Sequence, residues 1–441
     1  MRIVFKNFRV IDEARDFFGA LVVENGLIQE LIADCGDLPG GDHPGGDIVI
    51  DGRAFGASAV LMPAFIDLHS HFREPGFPEK EVLESACLAA AAGGFATVVC
   101  MANTKPVIDT IDKACALKAR SDTLGLIDLY PVLSLTKNME GRELSGIKDL
   151  SCIDRKNGIN PPLMLSEDGR DVADDNLFLA AMKEAKRLGM PISCHCDFGG
   201  HEAEAAKSAG SKRAEWSRIE ENSAVRRAID LGKKQGCHIH IAHVSTKEAV
   251  QIIREVKKSS VSGNGFSLTC EATPHHIGAT EEDAERMGAE TYGRVNPPLR
   301  LTADCEALIA ALGDGTIDAI ATDHAPHSDN DKSAGMPGFT GLETAFAVSL
   351  SYLTPTIELQ RLSALMSANP ARILGHKDRG RVAKGLRADL VIADTGANWK
   401  VEPERFKSRG KCSPFAGRTL RGKIIMTLNA GKIVFTGGGI V

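Results

Sequence analysis

No stretch of the chain approaches the roughly 20 consecutive apolar residues that a membrane helix needs, and the sequence offers no bilayer-spanning element. The opening Met1-Arg2-Ile3-Val4-Phe5-Lys6-Asn7 lacks the basic region, long apolar core and small-residue cleavage site of a signal peptide, so the expected location is the cytoplasm. No excess of positive charge is present either. With a formal net charge of −6, nothing electrostatic favours nucleic acid or an anionic membrane as a partner, and a small molecule is the better expectation. The 11 cysteines are odd in number and include no CxxC pair; Cys87, Cys100 and Cys115 sit inside apolar periodic segments. That distribution reads as reduced core thiols and excludes a disulfide framework.

What is present is ordinary globular material, 43% hydrophobic and 25% charged, over 441 residues. This length accommodates a (β/α)8 TIM barrel of about 250 residues plus a smaller unit. Residues 1–60 carry short β-like runs, Arg2 to Phe5, Ala20 to Val23 and Asp47 to Asp51, broken by turn signals such as Glu24-Asn25-Gly26. Gly36 to Gly46 is a surface loop by composition, and His43 within it reads as solvated. From Leu61 the pattern changes to apolar runs near 63–69, 96–101, 126–133, 161–165, 191–195, 238–243, 267–271 and 317–322. Helical periodicity separates them, for example over 80–92, 174–188, 216–235 and 303–312. Eight βα repeats predict a TIM barrel with its chemistry at the C-terminal strand ends. Short strands then return at 388–393, 424–428 and 432–435. Neither terminal segment is large enough to fold alone, so residues 1–60 and 380–441 are expected to form one composite β-sandwich domain, with residues 61–379 as a barrel inserted between them.

The first barrel strand ends in Asp67-Leu68-His69-Ser70-His71-Phe72-Arg73. Side chains alternate along a strand, so His69 and His71 share a face, as metal ligands require; an isolated HxH fits a strand end without metal equally well. The other strand ends add Asp168, His195, His243 and Asp323, each of which alone also suits a structural hydrogen bond or a turn. Together they make four histidines and two carboxylates at one mouth, a set suited to Zn²⁺, with Asp168 able to bridge two ions. Arg73 lies two residues beyond His71, on the same face, and offers a fork for a carboxylate; pairing with Glu74 or Glu79 is its alternative. His238 and His240 read as barrel or supporting residues, while His201, Cys194 and Cys196 lack partners at matching spacing.

Four strings resemble the dihydroorotases of the amidohydrolase superfamily across essentially the whole chain. They are Asp67 to Gly76, Met101-Ala102-Asn103-Thr104, Asn296-Pro297-Pro298-Leu299-Arg300 and Ala321-Thr322-Asp323-His324-Ala325-Pro326-His327. Hydantoinases and allantoinases of that superfamily bridge their metals with a carboxylated lysine on strand 4. Pro162 to Gly169 has no lysine, and resembles the monofunctional bacterial dihydroorotases with an aspartate bridge; Glu167 replaces the first acid of their pair, leaving Asp168 as the match.

The resemblance implies two Zn²⁺ per chain, the first on His69, His71 and Asp323, the second on His195 and His243, with Asp168 between. It also implies Asp323 as base and then acid in the reversible hydrolysis of dihydroorotate to N-carbamoyl-aspartate in pyrimidine synthesis. Arg73, Asn103, Asn296, His327, Pro337 and Gly338 would bind substrate. Homodimers or larger assemblies, some with aspartate transcarbamoylase, are implied as well. Three departures stand out: Ala102 replaces a proline and is expected to loosen the loop presenting Asn103, Asp197 replaces a glutamate, and Met336-Pro337-Gly338 is more like allantoinases. The alternatives are therefore a hydantoinase or allantoinase, or a non-catalytic scaffold for a transcarbamoylase.

Overall fold

The structure is a computed structural model and describes residues 2–33, 48–152, 162–197, 208, 213–259 and 264–437. His43 and His201 lie outside the described residues.

Strands β1 (Arg2–Ile11), β2 (Asp16–Glu24), β3 (Leu27–Ala33), β4 (Ile48–Asp51) and β5 (Ala59–Pro63) come first. With β14 (Leu390–Lys400), β15 (Thr419–Asn429) and β16 (Lys432–Thr436) they form one mixed sheet in the order β16-β15-β14-β5-β1-β2-β3, with β4 paired to β1. Asn25 and Gly26, at φ 53° and 80°, turn β2 into β3, the left-handed pair that a two-residue hairpin needs. The sheet carries its own core of Phe5, Phe8, Leu21, Leu61, Leu390, Ile392 and Met426, drawn from both terminal segments. The terminal segments thus build one β unit. Leu390 pairs with Pro63 and Ala64 N donates to the Asp389 carbonyl at 2.9 Å. Ala64 alone separates β5 of this sheet from the next strand, which starts at Phe65.

The barrel strands are β6 (Phe65–Ser70), β7 (Phe95–Cys100), β8 (Asp128–Pro131), β9 (Leu165–Ser166), β10 (Ile192–Cys194), β11 (His238–Ile241), β12 (Ser267–Ala272) and β13 (Ala319–Ile320). All are parallel, in two ladders, β6-β7-β8 and β9 to β13. Single bridges close the ring: Leu133 with Leu165, and Ser70 with His324. β6 and β7 are buried along their whole length, as strands covered on both faces must be. Helices over Leu83–Ala92, Ile111–Leu124, Asp175–Leu188, Arg213–Gln235, Lys247–Lys258 and Thr302–Asp314 form the outer layer. Their ends follow local chemistry: the Asp174 carboxylate accepts from Asn176 N and Leu177 N at 2.7 and 3.1 Å, and Gly189 ends that helix at φ 66°. Among the described residues no helix is long and apolar enough to cross a membrane.

Candidate metal centre

Five strand ends deliver the cluster. His69 is the penultimate residue of β6 and His71 follows the strand, its N–H donating to the His324 carbonyl at 2.7 Å. Asp168, His195, His243 and Asp323 come just after β9, β10, β11 and β13. His243 and Asp323 sit at φ 31° and 44°, in the left-handed region that non-glycine residues seldom occupy, and the turn aims both side chains across the barrel mouth.

Asp168 is at the centre. One carboxylate oxygen, Oδ1, lies 3.2 Å from His69 Nε2, 3.2 Å from His195 Nδ1 and 3.7 Å from His243 Nε2. Its Oδ2 lies 3.4 Å from His71 Nε2. Asp323 Oδ1 is 3.0 Å from His71 Nε2 and 3.6 Å from His69 Nε2. The ligand atoms of His69, His71 and Asp323 lie within 4.8 Å of one another, as do those of His69, Asp168 and His243. His69 Nε2 and Asp168 Oδ1 are buried, face each other, and have no hydrogen-bond partner of good geometry. His195 Nδ1 and His243 Nε2 stand 2.8 Å apart, close enough to share a hydrogen bond, and both face Asp168 Oδ1. Buried donor atoms aimed at one point without partners are what a cation requires. These residues can hold a metal.

Electrostatics agree. Burial raises the Asp168 carboxyl, but the charge of His69 and the imidazoles of His195 and His243 outweigh it and hold the group well below its ordinary range. For Asp323 burial again opposes, and the hydrogen bond from His71 with the charges of His69 and His243 keeps it ionised. Burial lowers His69 and His195, yet the surrounding carboxylates, Asp168 for the first and Asp197 then Asp168 for the second, lift both well above the usual histidine value. Carboxylates this eager for positive charge favour a cation.

Glu167 points elsewhere: its carboxylate accepts from Leu135 N and Thr136 N at 2.9 and 3.0 Å, so of the two adjacent acids only Asp168 reaches the cluster. Asp197, the short replacement, still places Oδ2 3.1 Å from His195 Nε2 and orients that ring. Cys194 and Cys196 are buried, with their thiols donating to the Ile192 and Cys194 carbonyls, and burial pushes both thiols well up. They are core thiols. Cys87, Cys100, Cys115, Cys237, Cys270, Cys305 and Cys412 are free as well.

One carboxylate was not picked out from sequence. Glu271, on β12, puts Oε1 2.9 Å from His69 Nδ1 and Oε2 2.9 Å from His240 Nε2. Burial raises it, and the hydrogen bonds from His240 and His69 bring it down to about 2. It fixes the His69 tautomer with Nδ1–H outward and the Nε2 lone pair toward the cluster. His240 thus has the supporting role expected of it. The signal in the sequence is the charged residue of this strand, a glutamate between Cys270 and Ala272. Glu271→Gln is expected to lower divalent-metal affinity about 10- to 100-fold, read by competition with a chromogenic chelator.

A cavity of about 300 Å³ opens over the cluster. Arg73, Asn103, Asn296, His327, Pro337 and Gly338 all line it, together with His71, Asp168, His195, His243 and Asp323. Lys80, not singled out from sequence, and Met336 of the allantoinase-like segment line it too. Arg73 is there for a different reason than period-two alternation. β6 ends at Ser70, and Arg73 reaches the cavity through a left-handed turn at φ 61°. Its Nε donates to the Pro326 carbonyl at 3.1 Å and its Nη2 lies 3.1 Å from His327 Nε2. Glu74 instead pairs with Arg120 at 3.0 Å. Burial lowers Arg73 to about 10, which leaves it charged at neutral pH. Asn103 is pinned despite Ala102: its Oδ1 is 3.0 Å from His71 Nδ1 and its Nδ2 donates to the Asp168 carbonyl at 3.3 Å. Asn296 Nδ2 lies 3.1 Å from His195 Nε2.

A TIM barrel with histidines and carboxylates converging at its C-terminal mouth defines a metal-dependent hydrolase, and the model described as the amidohydrolase family matches residues 60–434. The chain belongs to the amidohydrolase family. It is similar to a dihydroorotase of Clostridium botulinum (strain Eklund 17B / Type B), 37% identical over 437 residues that cover 99% of this chain and 100% of that one. A dihydroorotase of Syntrophus aciditrophicus (strain SB) is 35% identical over 447 residues, covering 99% of each. Among solved structures, an L-hydantoinase (dihydropyrimidinase) from Arthrobacter aurescens superposes with a TM-score of 0.84 at 24% identity, over 100% of this chain and 97% of that one. At that identity the likeness establishes the fold.

Proposed function

We propose that this enzyme is a dihydroorotase, interconverting dihydroorotate and N-carbamoyl-aspartate in pyrimidine synthesis. The observation that carries the reading is the composition of one cavity: a carboxylate-bridged histidine cluster on one side and a buried, charged Arg73 beside His327 on the other. Full-length similarity to dihydroorotases supports it. In this reading His69, His71 and Asp323 hold one Zn²⁺, His195 and His243 a second, and Asp168 bridges them. The barrel from Phe65 to about residue 379 is the hydrolase unit, and the mixed sheet its companion.

Bound divalent ions supply Lewis-acid polarisation of the amide carbonyl and make water nucleophilic near neutral pH. The remaining work belongs to the chain. Asp323, held ionised, takes the proton of the attacking water and returns it to the amide nitrogen as the C–N bond breaks. Arg73 receives the substrate carboxylate with its guanidinium fork, with Asn103 and His327 beside it. Asn296 and the Pro337-Gly338 wall contact the ring. Ring closure runs the same steps backwards.

Zinc-loaded protein is expected to interconvert the two compounds, alone or with aspartate transcarbamoylase added; no turnover in either direction would overturn the proposal. Arg73→Ala is expected to raise KM for dihydroorotate at least about 100-fold, since charge-assisted hydrogen bonds contribute about 1.5–3 kcal/mol each, with kcat changing less. The allantoinase-like Met336-Pro337-Gly338 segment on the cavity wall favours a second reading, a hydantoinase-type enzyme. Turnover of uncharged hydantoin rings that Arg73→Ala leaves intact would select it. A homodimer or larger assembly, with or without a transcarbamoylase, is the expected quaternary state.

A further inference from the structure

The wall that faces the carboxylate side of the cavity is held by a buried charge. Lys332, in the short helix Asp329–Ser333, is 1% exposed. Its Nζ donates to three main-chain carbonyls, of Arg294 at 2.9 Å, Met336 at 3.0 Å and Gly338 at 3.0 Å, and lies 5.3 Å from the centre of the Phe339 ring. An ammonium has three protons and no acceptor; here every proton is used, which is what makes so deep a burial tolerable. Burial lowers the group to about 8, so it remains charged at neutral pH. The wall is tied further by Gly338 N donating to the Arg294 carbonyl at 3.0 Å, and the Pro337 carbonyl sits 3.0 Å from His327 Nε2. Arg294 itself is two residues before Asn296.

We propose that Lys332 is a positioning residue for substrate selection: its ammonium draws the Arg294 segment, Met336 and Gly338 into one fixed wall, and so sets His327 against Arg73 for an anionic ring. Lys332 touches no ligand. It acts through the carbonyls it gathers, above all those of Met336 and Gly338, since the Arg294 carbonyl also accepts from Gly338 N. The identity of the anion rests on the dihydroorotase reading; the fixing of the wall does not.

The test is Lys332→Met, which keeps length and removes the donors, compared with the native enzyme in its metal-loaded form. Peptides spanning residues 334–340 are expected to exchange amide hydrogen about tenfold faster or more. KM for dihydroorotate should rise about tenfold or more while kcat stays within about threefold. Gly338→Ala reaches the same wall with Lys332 in place: at φ 143° an added Cβ would lie 2.6 Å from the Ala325 carbonyl oxygen, so it should reproduce the KM rise. Native-like exchange in Lys332→Met, or a loss confined to kcat, overturns the proposal. Should Lys332→Met not fold, an unchanged KM in Gly338→Ala overturns it. If the native enzyme turns over neither dihydroorotate nor carbamoyl-aspartate, the substrate reading falls, and loop exchange alone then decides on Lys332.

Discussion

Asp323→Asn is expected to lower kcat by about three orders of magnitude in both directions, the range that a positioned proton carrier supplies. Asparagine keeps the size and one oxygen donor of the side chain but cannot take a proton. The proposed role is supported by its setting: Asp323 follows β13 in a left-handed turn, lies 3.0 Å from His71 Nε2, and is held ionised. Because the same group gives the proton back during ring opening, hydrolysis and ring closure should fall together. Steady-state rates are to be measured beside metal content on the same sample. Ions retained with both rates reduced assigns the loss to proton transfer; rates within tenfold of the native enzyme would remove Asp323 from that role.

Asp168→Ala is expected to reduce bound divalent metal to less than about one ion per chain after dialysis, and ring opening with it. Among the described residues only this carboxylate reaches all four cluster imidazoles, at 3.2 to 3.7 Å. Without it, His195 and His243 face each other with no anion between. Elemental analysis alongside activity is the measurement, and two ions retained by the variant would exclude Asp168 as the bridge.

The barrel is legible in the sequence because its strands are apolar runs that end abruptly in polar residues, and those polar residues are the cluster. The limits are physical. The runs at 161–165 and 317–322 suggest longer strands than the two-residue β9 and β13, because the chain leaves the ladder early to turn Asp168 and Asp323 inward. Strand alternation does not account for Arg73 at the cavity, since its backbone φ of 61° ends that alternation. Glu271 is hidden because its partners, His69 and His240, come from other strands. Lys332 is hidden for the same reason in a stronger form: its partners are carbonyl groups, and main-chain oxygens have no sequence signature.

At the seam between β6 and β13 the backbone bridge of Ser70 with His324 is backed by the Asp67 carboxylate, which accepts from Thr322 N and Oγ1 at 2.8 and 2.6 Å. His71 and Asp323 flank that seam and are 252 residues apart along the chain. A cation shared by them would therefore act as a clasp, fastening the first barrel strand to the last and closing a very long loop of chain. Stripping such an ion is expected to loosen the ring as well as silence it, which would make free metal concentration a control on how firmly the barrel stays shut.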